Sequence, residues 1–173
     1  RDFLENGSAM RLVTQIDEKI WRTFLENHPR SNVFHTPEIF RAFARAKNHE
    51  PALWAVLDGS GRVLVLFLPV SVMISRRLPR LTSRAVAYGG VLCESGSAGL
   101  EALEFLLKAY RERIGRSLLF TELRHLSSPR EIGPLLEGSG FTFSAELNFC
   151  LRLDRSREQI LQALAHQLDT AVG

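Results

Sequence analysis

Between Pro69 and Gly90 the chain gathers residue types that bind anions or let a ligand touch the backbone. Arg76, Arg77, Arg80 and Arg84 fall within nine positions. A guanidinium fork meets phosphate or carboxylate through paired donors. Tyr88-Gly89-Gly90 follows, an aromatic beside two residues without side chains, where a ligand can reach the main chain. The same features also read as a solvated strand connection ending in a glycine bulge. Glu122 and Arg124 form a second constellation. Two positions apart at the end of an apolar strand, they share one face, and strand ends border ligand clefts. A surface ion pair is the plainer reading. Arg41 and Arg45 stand one helical turn apart, an anion stripe or a solvated helix face.

No nucleophile elbow, P-loop, zinc-protease helix or dinucleotide fingerprint occurs. The five histidines, His28, His35, His49, His125 and His166, have no metal-ligand spacing, so no metal is expected. His35, just before a helix, reads as structural. Acetyltransferases often hold coenzyme A pyrophosphate on a Q/R-x-x-G-x-G/A turn, where N–H groups at a helix start supply the donors. Arg130-Glu131-Ile132-Gly133-Pro134-Leu135 approaches that pattern and fails it. Its last position is Leu135, and Pro134 lacks an N–H.

At 173 residues the chain is long enough for one full domain, and 45% hydrophobic with 24% charged residues is a globular composition. No apolar run reaches the ~20 residues of a membrane helix. The longest, Val63 to Ile74, is interrupted by Pro69 and Ser71, so no transmembrane segment is expected. The start lacks an apolar signal core. Cys93 and Cys150 read as buried free thiols, and a cytoplasmic location is expected. A net charge of +3 suits anionic ligands and argues little for nucleic acid.

The pattern predicts a strand from Met10, with residues 1–9 a tail or upstream stretch. Asp17 and Thr36 cap two helices, the first with Ile20, Trp21, Phe24 and Leu25 on its core face, the second with Ile39, Phe40 and Phe43. Both faces read as core packing. Strands at 52–57 and 63–68 flank a glycine-rich turn, and the second, apolar throughout, should be central. Pro69 marks a bulge or the strand's exit from pairing. A strand at 83–88, a helix from Ser97 to near Ile114 and a strand at 118–123 follow. Then come a helix capped by Ser128, a strand at 141–153 and a last helix capped by Ser156. The fold class is α+β, a mixed α/β domain with a central mixed sheet flanked by helices.

Several phrases in this order resemble the FemAB family: Trp21-x-x-Phe24-Leu25, Asn32-Val33-Phe34-His35-Thr36-Pro37-Glu38, Leu68-Pro69-Val70, Tyr88-Gly89-Gly90, Glu122-Leu123-Arg124 and Gly140-Phe141. These are peptidoglycan aminoacyltransferases and their exopolysaccharide- and exosortase-associated relatives, built from two GNAT-like halves. The resemblance implies a GNAT-like N-terminal domain over 10–155 and the start of a second, truncated one over 156–173. It implies acyl or aminoacyl transfer to an amine of a small or lipid-linked cell-wall or polysaccharide precursor. No bound cofactor is implied; the co-substrate is aminoacyl-tRNA, reached through the second half, or acyl-coenzyme A. Arg41, Tyr88 and Arg124 fall near acceptor positions, with Gly89, Gly90 and Glu122 beside them. On this reading residues 10–173 alone are inactive. The alternatives are a coenzyme A-dependent GNAT N-acetyltransferase and a non-catalytic GNAT-like binding domain.

Overall fold

The computed structural model describes residues 3–6, 10–73, 83–114, 117–126, 128–144, 154 and 156–162. The chain forms two compact units, Arg1–Thr142 and Phe143–Gly173.

In the first unit, helix α1 (Glu18–Asn27) starts where Asp17 accepts the Lys19 N–H at 2.8 Å. Helix α2 (Pro37–Arg45) has Thr36 as its cap, accepting from the Ile39 N–H at 3.4 Å, and Pro37 where a missing N–H costs nothing. Ile20, expected on the core face of α1, is exposed instead. Ile39, Phe40 and Phe43 of α2 are only half-buried, so this helix rides on the surface of the core.

The strands make two sheets. One has the order β1 (Phe3–Asn6), β2 (Met10–Val13), β4 (Trp54–Leu57), β5 (Val63–Phe67), β8 (Val91–Cys93), all antiparallel. The other has the order β3 (His49–Pro51), β6 (Val70–Met73), β7 (Ser83–Tyr88), β9 (Thr121–Arg124). In it β3, β6 and β7 are antiparallel and β7–β9 is parallel. The stretch read as a tail thus contains strand β1, paired with β2.

The chain passes between the sheets repeatedly, and two of the short crossings bear on the site. At Leu68-Pro69 it passes from β5 to β6, because Pro69 has no N–H for the ladder. Its carbonyl still accepts the Ala52 N–H at 2.9 Å. At Gly89-Gly90 it passes from β7 to β8. Strand β5 lies between β4 and β8 and is buried along its whole length, as its unbroken apolar run requires. Leu66 faces Trp21, Phe24 and Leu25 of α1. Phe67 faces the other layer, the long helix α3 (Ser97–Ile114), through Leu103, Leu106, Leu107 and Tyr110. Burying such side chains contributes about 1.5–3 kcal/mol each.

Two expected elements start elsewhere. Residues 118–120 bond to β7 (Leu119 N–H to the Ser83 carbonyl, 2.9 Å), but the ladder proper begins at Thr121. Helix α4 is Gly133–Gly138, not a helix capped by Ser128; Ile132 precedes it without a side-chain cap, and Pro134 opens it. Residues 141–144 are irregular, and the rest of the strand expected there lies outside the described residues. In the second unit Ser156 caps a helix as expected. The Gln159 N–H donates to Ser156 Oγ at 3.4 Å, and Gln159 Oε1 accepts the Ser156 N–H at 3.2 Å. Among the described residues no helix is long and apolar enough to cross a membrane.

Candidate functional site

Strands β7 and β9 are the parallel pair among the described strands, and they end side by side, Tyr88 opposite Arg124. Ligands of open parallel sheets gather at such carboxyl ends. The Arg124 guanidinium carbon lies 5.4 Å from the Tyr88 ring centroid. Arg124 Nε donates to Glu122 Oε1 at 2.7 Å, so the two residues share a face as period two requires. Tyr88 also stacks on Phe43 (5.2 Å, 13°) and Phe34 (5.7 Å, 29°), and Phe43 stacks on His49. Half of this wall comes from residues before β3, a convergence that no spacing in the sequence announces.

Past Tyr88 the backbone turns through Gly89 (φ +83) and Gly90 (φ +82). The close approach these glycines permit is made by the chain itself. A Cβ on Gly89 would lie 2.7 Å from His35 Cε1 and 2.8 Å from Asn32 Oδ1; one on Gly90 would lie 2.3 Å from His125 Nδ1. His35 is fully buried. Its Nδ1 accepts the Asn32 N–H at 3.2 Å, which puts the ring proton on Nε2, and its carbonyl accepts from Trp21 Nε1 at 2.8 Å. His35 Nε2 sits beside the Gly90 backbone without reaching hydrogen-bonding geometry. Burial pushes this imidazole down to about 4 against an opposing pull from the Gly90 backbone, and the neighbouring His28 and His125 add smaller lowering effects. Burial also lowers His125, with Arg30 contributing. His28 Nε2 lies 3.0 Å from the Cys93 carbonyl. Histidines that look scattered in sequence therefore line the segment from Gly89 to Cys93.

Three residues beyond β8 a second feature appears. Gly96 (φ +92) turns the chain into α3, whose Leu100 N–H bonds the Gly96 carbonyl at 3.2 Å. A Cβ on Gly99 would lie 1.9 Å from the Glu94 carbonyl oxygen, so the first turn of the helix lies directly on the incoming strand. First-turn N–H groups have no acceptor inside a helix and point at whatever lies beyond its end. Cys93-x-x-Gly96-x-Ala98 carries the spacing of the pyrophosphate turn, with Cys93 in place of Gln or Arg. A strict first position hides it from a sequence scan. Burial pushes the Cys93 thiol up to about 11, so this residue supplies no charge. At the stretch 130–135, by contrast, Glu131 pairs with Arg30 at 2.6 Å.

Arg41 is held by Glu18 at 2.8 Å and Glu38 at 3.4 Å, and Arg22 joins the same carboxylates. It faces solvent on α2, the plainer of its two sequence readings. Arg84 lies on β7 opposite Val72, its Nε buried without a hydrogen-bond partner. Arg76, Arg77 and Arg80 lie outside the described residues. A groove of about 500 Å³ opens beside Asn48, Met73 and Ser83, at the amino end of β7 and away from Gly89-Gly90. Among the described residues no cluster suits a metal ion.

Solved structures match most of the chain. A Trypanosoma brucei acetyltransferase aligns with 83% of it and 99% of its own length, at TM-score 0.55 and 16% identity. The fold is that of the GNAT acetyltransferases. A Bacillus halodurans transcriptional regulator (TM-score 0.56, 15% identity) covers 82% of this chain and 98% of its own. An Acinetobacter baumannii aminoglycoside 6'-N-acetyltransferase (TM-score 0.53, 10% identity) covers 83% and 97%. No family model and no curated protein sequence matches. Nothing among these matches singles out FemAB proteins within the GNAT-like fold.

Proposed function

We propose that the chain carries out coenzyme A-dependent acyl transfer to an amine. The observation that supports this reading most is the β8–α3 turn: an anion-ready helix start directly after a strand of a GNAT-like sheet. The N-terminus of an 18-residue helix favours a pyrophosphate through its N–H groups and its dipole. Gly96 and Gly99 give the turn the close backbone it needs. The Cys93 substitution leaves the main-chain donors in place, so the residues present fit the group.

In the reaction the acceptor nitrogen attacks the thioester carbonyl carbon. The acceptor ammonium first gives one proton to solvent; then a C–N bond forms, the C–S bond breaks, the thiolate leaves, and the second proton passes to solvent or to the thiolate. Positioning and charge stabilisation do most of the work, so no nucleophilic side chain is required. The acceptor meets the carboxyl ends of β7 and β9. There the Glu122 carboxylate draws a protonated amine, Arg124 takes an anionic group, and Tyr88, Gly89 and Gly90 shape the wall. Two of the three structures described above are named acetyltransferases, one of them of an aminoglycoside. The FemAB-like reading, with an aminoacyl-tRNA donor and a cell-wall precursor as acceptor, uses the same fold and differs in donor. Its Arg41 contact would have to compete with Glu18 and Glu38.

The test is titration of the full chain with coenzyme A and acetyl-coenzyme A, beside the variant Ala98→Glu. Ala98 is exposed in the first turn of α3, where a carboxylate suits the helix but repels a pyrophosphate. Wild-type binding that weakens about tenfold or more in a variant of unchanged melting temperature is the expected result. Equal binding by both, or none by the wild type, overturns the coenzyme A reading.

A further inference from the structure

Three histidines from separate segments close on the Gly89-Gly90 connector and on the strand β8 that follows it. His28 follows α1, and its Nε2 meets the Cys93 carbonyl at 3.0 Å. His35 lies in a single 3-10 turn (Val33–His35) and presses on Gly89. His125 follows β9 and presses on Gly90. We propose that these rings form an acid-sensitive clamp on the segment Gly89–Cys93, the turn together with β8, which His35 and His125 hold while neutral and release when either takes a proton.

The hydrogen bonds require neutral rings. His28 Nδ1 accepts the Arg30 N–H at 3.2 Å, and His35 Nδ1 accepts the Asn32 N–H at 3.2 Å. A protonated imidazole has no acceptor left, so either bond is lost on protonation. His35 Nε2 and His125 Nε2 are both buried and without a hydrogen-bond partner. A proton added at His125 Nε2 has no acceptor to meet.

The surroundings are cationic. His35 faces His28 and His125, and Arg30 faces His125. Glu131 is engaged by Arg30, and Glu94 lies beside Cys93. Tyr88 and Arg124 border the cluster, with Arg124 bonded to Glu122. No carboxylate hydrogen-bonds to any of the three rings among the described residues. Burial lowers His35 and His125 in the same direction.

The sign follows from that direction. Well above pH 6.5 the His35 and His125 rings are neutral whether the segment is closed or open, and the clamp has no pH dependence. As pH falls below about 6.5 an open connector takes up protons that the closed one refuses, so acid favours opening. Opening also loosens the lead into α3. Loss of a bound donor on acidification rests on the acyltransferase reading; the clamp itself does not.

Hydrogen exchange on the full chain tests the clamp, combined with ring-nitrogen NMR of histidine-labelled protein. Lowering the pH from 7 to 5 should cut the protection of the 89–93 amides about tenfold or more beyond the intrinsic rate change. The β4–β5 amides should keep theirs. The closed state should show His35 still neutral at pH 5 with its proton on Nε2. His35→Asn and His125→Asn should each flatten the pH dependence. Unchanged protection at 89–93, or a His35 ring titrating near 6.5, overturns the clamp, and both are read on the wild type if a variant does not fold. Coenzyme A titration at pH 7 and pH 5 separates the two readings. Absence of binding at both values rejects the donor assignment and leaves the exchange result to judge the clamp.

Discussion

Tyr88 and Arg124 face each other across the parallel β7–β9 pair, the guanidinium carbon 5.4 Å from the ring centroid. The contact joins an aromatic wall built from Phe34 and Phe43 to the ion pair of Arg124 with Glu122. One cation thus lies between a π face and a carboxylate at the end where parallel strands present ligands.

Charge reversal at this point should separate binding from folding. Arg124→Glu sets two carboxylates together at an exposed edge and removes the cation over Tyr88. Exposed contacts of this kind are worth about 0.5–1 kcal/mol each, so the domain should remain folded. Acceptor affinity should fall about tenfold or more, read as a raised KM or by calorimetry. Unchanged affinity takes Arg124 out of the acceptor site.

Alanine at three glycines should separate backbone strain from collision. Gly61 (φ +84) has nothing within 4 Å of an added Cβ, so Gly61→Ala should cost only the left-handed backbone, about 1 kcal/mol. Gly89→Ala and Gly90→Ala add collisions with His35, Asn32 and the His125 ring at similar φ. Overpacking brings a further ~1–3 kcal/mol. Equal losses at all three sites, by denaturant unfolding, would mean that the histidine rings move aside freely.

Arg41 offers a two-way outcome on α2. It is exposed and shared between Glu18 and Glu38, and the guanidinium groups of Arg22 and Arg41 hold the Glu18 carboxyl below its usual range. Arg41→Ala should leave the melting temperature nearly unchanged, the more so at high salt. If acceptor affinity falls even so, Arg41 releases its carboxylates to meet the substrate. If it holds, the residue belongs to a surface network.

What could be read from the sequence was local or strongly periodic. Asp17 and Thr36 cap as their side chains require, α3 runs from Ser97 to Ile114, and the unbroken apolar run of β5 is buried on both faces. Pro69 ends the β5 ladder for lack of an N–H. What could not be read depends on distant partners. Strand β3 is a short edge strand whose pairing comes from β6, some twenty residues further on. Ser128-Pro129 looks like a helix start, yet the helix begins at Gly133. The site was legible in part. Tyr88, Glu122 and Arg124 do come together, but His35 and His125 reach the Gly89-Gly90 turn, and His28 the Cys93 carbonyl, from segments far apart in sequence, and only the fold brings them there.

Tyr110 carries the alkaline counterpart of the histidine behaviour. It is buried on α3, its ring edge-on to Trp54 and Phe67, and its hydroxyl lies 3.1 Å from Thr121 Oγ1. Burial pushes the phenol up to about 12, against a smaller opposing effect of the Thr121 hydrogen bond. The folded state therefore holds a proton that the unfolded chain releases near pH 10, and stability should fall as pH rises from about 10 toward 12. Tyr110→Phe keeps the packing, removes this slope and leaves Thr121 to find another partner, at about 1 kcal/mol near neutral pH. Ultraviolet titration of the folded protein, compared with the variant, should show one tyrosine resisting ionisation at pH 11. If every phenol ionises at pH 10 while the protein stays folded, Tyr110 is reached by solvent and the packing of α3 on the sheet is looser than described.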